Sequence, residues 1–225
     1  TTLDPQHSLA WLRLATAATF NGSNQLADTA YQKALSLDKE VEEYYSWGFE
    51  MYDTKWNDNP EERRNKVAET AASTQYRSTY TAMNVAFILQ SYGFNDHALR
   101  IGKQILPKLE QIAKESPEDG FAHYDNARGL GILKQDAEMF REYRKAARLL
   151  PKEAGVHNEL VIVLTRHRRY QESLEPAQTC VRLEPKVASY RYNLGYSLSQ
   201  LHRYPEAETA LRVAVDLAPK YADAH

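Results

Sequence analysis

The chain of 225 residues has a single cysteine, Cys180, so it can hold no internal disulfide. Nowhere does it approach the ~20 consecutive apolar residues of a membrane-crossing helix, and no membrane segment is expected in it. An excess of one charge is missing too: 28 basic and 30 acidic residues leave a net charge of −2 and a pI near 6.4. That balance gives no basic footprint and argues against nucleic acid as the main partner. The phosphate-binding glycine loop, the G-x-S-x-G elbow, H-E-x-x-H and C-x-x-C are all absent. Gly129-Leu130-Gly131 begins a glycine motif that neither a third glycine nor a preceding strand completes. No catalytic residue and no cofactor is assigned, and the chain reads as non-enzymatic.

What is present is a pattern that returns. Between Ala188 and Tyr221, Leu194, Leu198 and Leu201 form one apolar stripe, and Ala207, Leu211, Ala214, Val215 and Leu217 form a second. Spacings of three, four and seven put each stripe on one side of a helix. Pro205 and Glu206 suit the first turn of the second helix, and Pro219 stops it. About 34 residues earlier, Leu160, Tyr170, Cys180, Leu183 and Pro185 occupy the same places, and one step further back stand Ala146, Leu149 and Pro151. A helix pair at this period resembles the tetratricopeptide repeat, whose Leu-Gly, Ala and Pro positions are filled here by Leu194-Gly195, Ala207, Ala214 and Pro219. Arg191 and Leu198 stand where that family has Trp and Tyr. The resemblance implies an all-α chain, a right-handed α-α superhelix of about six helix-turn-helix repeats without a single compact core.

The repeats fall at approximately 8–41, 42–78, 79–119, 120–153, 154–187 and 188–221 of one solenoid. Residues 1–7 read as the tail of a preceding repeat and 222–225 as the start of a following one. A fragment of a longer array is therefore expected, with apolar end faces that invite end-to-end self-association. His7-Ser8 offers the cap of the first helix. Two repeats are irregular. Repeat 42–78 is rich in aromatics (Tyr44, Tyr45, Trp47, Phe49, Tyr52 and Trp56), with Asn59-Pro60-Glu61-Glu62 as a helix start. Repeat 79–119 prolongs its second helix through Leu109, Ile112 and Ala113, with Pro107 a candidate kink. These two departures are where a partner is first sought.

Other side chains read as structural. His123, His157 and His225 share one register position, but equivalent positions in neighbouring repeats lie about 10 Å apart. One zinc ion, holding nitrogens at about 2.0 to 2.1 Å, cannot bridge them, so no metal is expected. Cys180 takes the small-residue position of Ala146 and Ala214 and reads as a buried thiol. Arg166-His167-Arg168-Arg169 is a basic turn, read as a solvated connection with the chemistry to receive phosphate or an acidic tail.

The resemblance also implies a function, because such repeats bind extended peptides in a concave groove lined by the first helix of each pair. Carried onto this chain, the stripe is Glu43, Trp47, Glu50 and Asp53, then Tyr80, Asn84, Phe87 and Gln90, then Phe121, Tyr124, Asp125 and Arg128. It continues with Asn158, Glu159 and Ile162, then Tyr192, Asn193 and Tyr196. Positions that clamp a terminal carboxylate in chaperone-tail receptors of the family carry Tyr124, Arg128, Glu159, Ser189 and Asn193 here. Glu159 repels a carboxylate, so that role is not expected. The expected function is a non-enzymatic scaffold that binds an extended peptide or partner helix of another protein in its groove. The alternatives are a recruiting or regulatory arm of a larger enzyme or envelope machine, and a self-associating assembly unit.

Overall fold

The computed structural model describes residues 7–39, 42–53 and 60–218, and among them every regular element is an α-helix. In chain order these are α1 (Ser8–Phe20), α2 (Asn24–Leu37), α3 (Glu42–Asp53), α4 (Pro60–Ser73), α5 (Thr79–Ser91) and α6 (Asn95–Glu115). They are followed by α7 (Gly120–Ile132), α8 (Asp136–Leu149), α9 (Ala154–Arg166), α10 (Tyr170–Leu183), α11 (Ala188–Gln200) and α12 (Tyr204–Leu217). The fold is an all-α array of helix pairs. Asn59 lies outside the described residues, and α4 begins at Pro60.

One turn closes the pairs. Gly22, Gly93, Lys134, Arg168 and His202 hold φ of 71°, 85°, 57°, 59° and 60°, each at the same place between first and second helix. At each, the left-handed residue donates its N–H three residues back and its successor donates five residues back. In the α1–α2 turn these bonds are Gly22 N–H to the Thr19 carbonyl at 3.1 Å and Ser23 N–H to the Ala18 carbonyl at 2.8 Å. The α9–α10 turn repeats them as Arg168 to Thr165 at 3.0 Å and Arg169 to Leu164 at 2.8 Å. This satisfies two of the carbonyls that a helix end leaves open and folds the chain straight back. Entry to the first helices is capped from side chains: His7 accepts from Ala10 N–H at 3.2 Å, Ser78 from Thr81 N–H at 3.3 Å and Asp119 from Phe121 N–H at 2.9 Å.

The chain forms two compact units, Thr1–Gln111 with Arg128–Gln135, and Ile112–Ala127 with Asp136–His225. In the first, α1 packs on α2, α3 on α4, and α3 on α5. Its core buries Tyr31, Tyr44, Tyr45, Phe49, Met83, Leu89 and Ile101 among alanines at helix crossings. The polar ends of the tyrosines are met: Tyr31 Oη donates to the Tyr44 carbonyl at 3.0 Å and Tyr45 Oη to the Lys39 carbonyl at 2.7 Å. The aromatics of α3 thus turn inward wherever they are described. α6 is 21 residues long, where α2, α4, α8, α10 and α12 have 14. Seven extra residues are close to two helical turns of 3.6, so the added length keeps the buried side in phase, and Pro107 is accommodated within one helix.

In the second unit α8 packs on α9, α9 on α10 and α11, and α11 on α10 and α12. Leu160, Val161, Leu164, Leu174, Ala177 and Leu198 are buried there. Ser173 and Ser197, both fully buried, meet Oγ to Oγ at 2.8 Å, with Ser197 donating to the Asn193 carbonyl at 3.0 Å.

Two glycines discriminate packing from backbone freedom. A Cβ at Gly48 would stand 2.1 Å from Tyr31 Oη, whereas one at Gly155 would meet nothing within 4 Å. Gly48→Ala is expected to cost about 2–4 kcal/mol through displacement of the buried Tyr31 and loss of its hydrogen bond. Gly155→Ala is expected to stabilise by about 0.4–1 kcal/mol by restricting the unfolded chain. Urea denaturation of both variants checks the pair, and equal effects would show that Tyr31 has room to move.

Candidate interaction surface

Each first helix spends one side on its partners and leaves a second stripe outward. On α5 the core side carries Met83, Val85, Ala86 and Leu89, while Tyr80, Asn84 and Phe87, four and three residues apart, share the other side. Arg128 of α7 joins them in the first unit. Its Nη2 donates to Asn84 Oδ1 at 3.3 Å, and its guanidinium lies 5.0 Å over the Phe87 ring. Asn84, Phe87 and Arg128 are therefore brought together, with Tyr80 exposed beside them on the same helix. Glu50 is exposed on α3, and the side chains of Glu43, Trp47 and Asp53 lie outside the described residues.

The second unit assembles its own cluster. Asn193 Nδ2 donates to Asn158 Oδ1 at 2.8 Å, tying α11 to α9 with half-buried Ile162 one turn on. Tyr192 and Tyr196 stack with centroids 6.4 Å apart and planes 15° apart, and the Tyr170 ring meets Tyr196 edge-on at 6.1 Å. Phe121 is exposed on α7, whereas Tyr124 is half-buried and meets Tyr143 edge-on with ring centroids 5.9 Å apart, a packing contact. Tyr80, Phe121 and Tyr192 are 59%, 52% and 55% exposed, far more than packing residues of their size. Tyr170 belongs to a second helix, so the first-helix stripe misses it; the signal in the sequence is its register match with Tyr204. Burial raises its phenol above the ordinary value, as does its hydrogen bond to Tyr196, and the Arg168 charge pulls the other way.

The basic turn divides into two kinds of residue. Arg169 bonds Glu172 at 2.6 Å and lies 4.3 Å over Phe140, while His167 stands 3.3 Å from Asp136 and edge-on to the same ring. Arg169, with Arg144 also on the carboxylate, holds Glu172 below its ordinary value. Arg166 and Arg168 are exposed and form no ion pair among the described residues.

The histidines share a register but not an environment. His123 is buried with Nδ1 2.6 Å from Glu142 Oε2 and Nε2 3.1 Å from the Pro117 carbonyl. His157 is as buried, yet neither ring nitrogen has a hydrogen-bonding partner, because Pro176 occupies the place corresponding to Glu142. His225 lies outside the described residues. No group of three or more His, Cys, Asp or Glu side chains among the described residues is placed to hold a metal ion, and no described helix is long and apolar enough to cross a membrane. Cys180 is buried with Sγ 3.4 Å from the Ala154 carbonyl, and burial pushes its thiol up to about 12, which leaves it no nucleophile at neutral pH.

The profile of the tetratricopeptide repeat matches residues 9–41 and 188–221. No curated protein matches the chain. Among solved structures it is similar to MamA, at 12% identity over 96% of this chain and 94% of that one, with a TM-score of 0.47. MamA from Desulfovibrio magneticus RS-1, taken from its residue 41 to the end, is 20% identical over 65% and 78% of the two chains, again at 0.47. YrrB, described as a TPR protein with an unusual peptide-binding site, is 17% identical over 84% and 93%, at 0.46. Similarity at this level carries neither a site nor a partner across.

The contrast between the histidines is measurable. His123→Leu leaves Glu142 without its buried partner and is expected to cost about 1–3 kcal/mol. His157→Leu replaces an unpaired buried ring with an apolar side chain and is expected to be neutral or stabilising by about 1 kcal/mol. Thermal or chemical denaturation reads both, and a large loss in His157→Leu would reveal a partner for that ring.

Proposed function

This chain is a tetratricopeptide-repeat protein, a family of protein-protein interaction scaffolds, and we propose that it holds an extended peptide or partner helix along the outward stripes of its first helices. The observation that carries this reading is the exposure of Tyr80, Phe121, Tyr192 and Tyr196 on those helices. Exposed aromatics beside amides suit a peptide: rings give contact area at low entropic cost, and Asn84, Asn158 and Asn193 offer paired donors and acceptors to a backbone. In the first unit the stripe is Tyr80, Asn84, Phe87 and Arg128; in the second it is Phe121, Tyr124, Asn158, Ile162, Tyr192 and Tyr196. Glu43, Trp47, Glu50 and Asp53 extend the proposal onto α3.

On this reading the scaffold acts by binding. Among the described residues of the stripe no nucleophile is paired with a base, and Cys180 is buried with its thiol pushed up to about 12. Peptides selected from a displayed library against the immobilised protein are expected to bind a Tyr80→Ala, Phe121→Ala, Tyr192→Ala, Tyr196→Ala variant at least about tenfold more weakly, with unchanged helical circular dichroism. Selected peptides that bind wild type and variant equally would move the binding site to another face.

A further inference from the structure

The surface around Tyr196 carries more than general adhesiveness. On α9, Asn158, Ile162 and Arg166 follow at four-residue intervals and so share one side, and Arg166 ends the helix. Arg168 holds the left-handed turn position, and two residues later Tyr170 opens α10 against Tyr196. The other two members of the turn, His167 and Arg169, are bound to Asp136, Glu172 and the Phe140 ring. Among the described residues these two guanidinium groups therefore remain without a carboxylate, Arg168 within electrostatic reach of Tyr170, whose ring and that of Tyr192 both meet Tyr196. Glu159 stands near the middle of the same helix, seven residues before Arg166, or about 10 Å at the helical rise. The charge is polarised along α9: Glu159 and the amide pair lie mid-helix, and two cations without a carboxylate among the described residues lie at and just beyond its C-terminus.

Resting on the scaffold reading above, we propose that Arg166, Arg168, Tyr170, Tyr192 and Tyr196 form the docking site for an acidic-aromatic segment of a partner protein, one large apolar side chain followed by carboxylates. The apolar side chain lies on the tyrosine rings, and the carboxylates meet the two arginines, whose planar donors suit them. Glu159 sets the direction, because it repels acid at the amide end. Unpaired arginines beside exposed rings also fit a single-stranded nucleic acid. The net charge of −2 favours the protein partner, and the alternative is decided by experiment.

The full chain is titrated with three fluorescein-labelled peptides that share one phenylalanine-containing core, flanked on one side by Asp and Glu, by Asn and Gln, or by Lys, and with labelled oligo(U). Fluorescence anisotropy reads binding. The acidic peptide is expected to bind roughly three- to tenfold tighter than its amide counterpart, with the lysine peptide weakest. Arg166→Gln with Arg168→Gln is expected to erase that preference and reduce the salt dependence while leaving amide-peptide binding intact. Equal binding of acidic and amide peptides, no binding of the acidic peptide, or tighter binding of oligo(U) overturns the inference. If the acidic preference is absent but Tyr192→Ala with Tyr196→Ala still weakens the amide peptide, the scaffold reading stands and only the acidic partner is lost. If that variant changes nothing, both fall. Unchanged far-ultraviolet circular dichroism certifies each variant as folded.

Discussion

The structure depends on a turn that makes the chain reverse within three residues. Its cost is a left-handed backbone position, about 1–2 kcal/mol for a residue other than glycine. Glycine meets this at Gly22 and Gly93, but Lys134, Arg168 and His202 sit there with side chains. The strain is offset by the two closing hydrogen bonds and by the burial that follows, since a sharp reversal lays the second helix against the first. Close approach then requires small residues at the crossings. Gly48 faces Tyr31 at a distance no methyl group could share, and Gly195 similarly faces Leu211, where a Cβ would stand 2.6 Å from Cγ.

Function follows from what this packing leaves over. A helix has one side for its pair and its neighbours, and beyond it α5, α7 and α11 carry the exposed rings of Tyr80, Phe121 and Tyr192. Aromatics on the packed sides have their hydroxyl groups satisfied internally, as at Tyr31 and Tyr45. On the stripes proposed to bind, the polar groups are already arranged: two asparagines bonded to each other, three tyrosines linked through Tyr196, and an arginine aligned on Phe87. Such groups are partly ordered before any partner arrives, which lowers the entropic cost of binding. The turn itself contributes, because Arg168 owes its place beside Tyr170 to the left-handed geometry.

The period of about 34 residues made the helix pairs legible, since the apolar stripes recur along it and Pro or Gly marks several starts, reversals and stops by local rules. The prolonged α6 was legible for the same reason. The aromatic richness of 42–78 stands out in the sequence, and in the structure Tyr44, Tyr45 and Phe49 of that stretch fill the core of the first unit. Composition reports how many rings there are, whereas which side they take depends on the neighbouring helices. The contrast between His123 and His157 was hidden because it is decided by residues 19 positions away, Glu142 in one repeat and Pro176 in the next. A comparison of those positions in register would have exposed it. Tyr170 escaped because it acts from a second helix, through a contact across the fold rather than along one stripe.

Hydrogen-exchange mass spectrometry with a library-selected peptide at saturation tests the central claim, that binding uses the outward faces of the first helices. The account predicts slowed exchange in α5, α9 and α11 and unchanged exchange in α2 and α8. Protection confined to those second helices would contradict it.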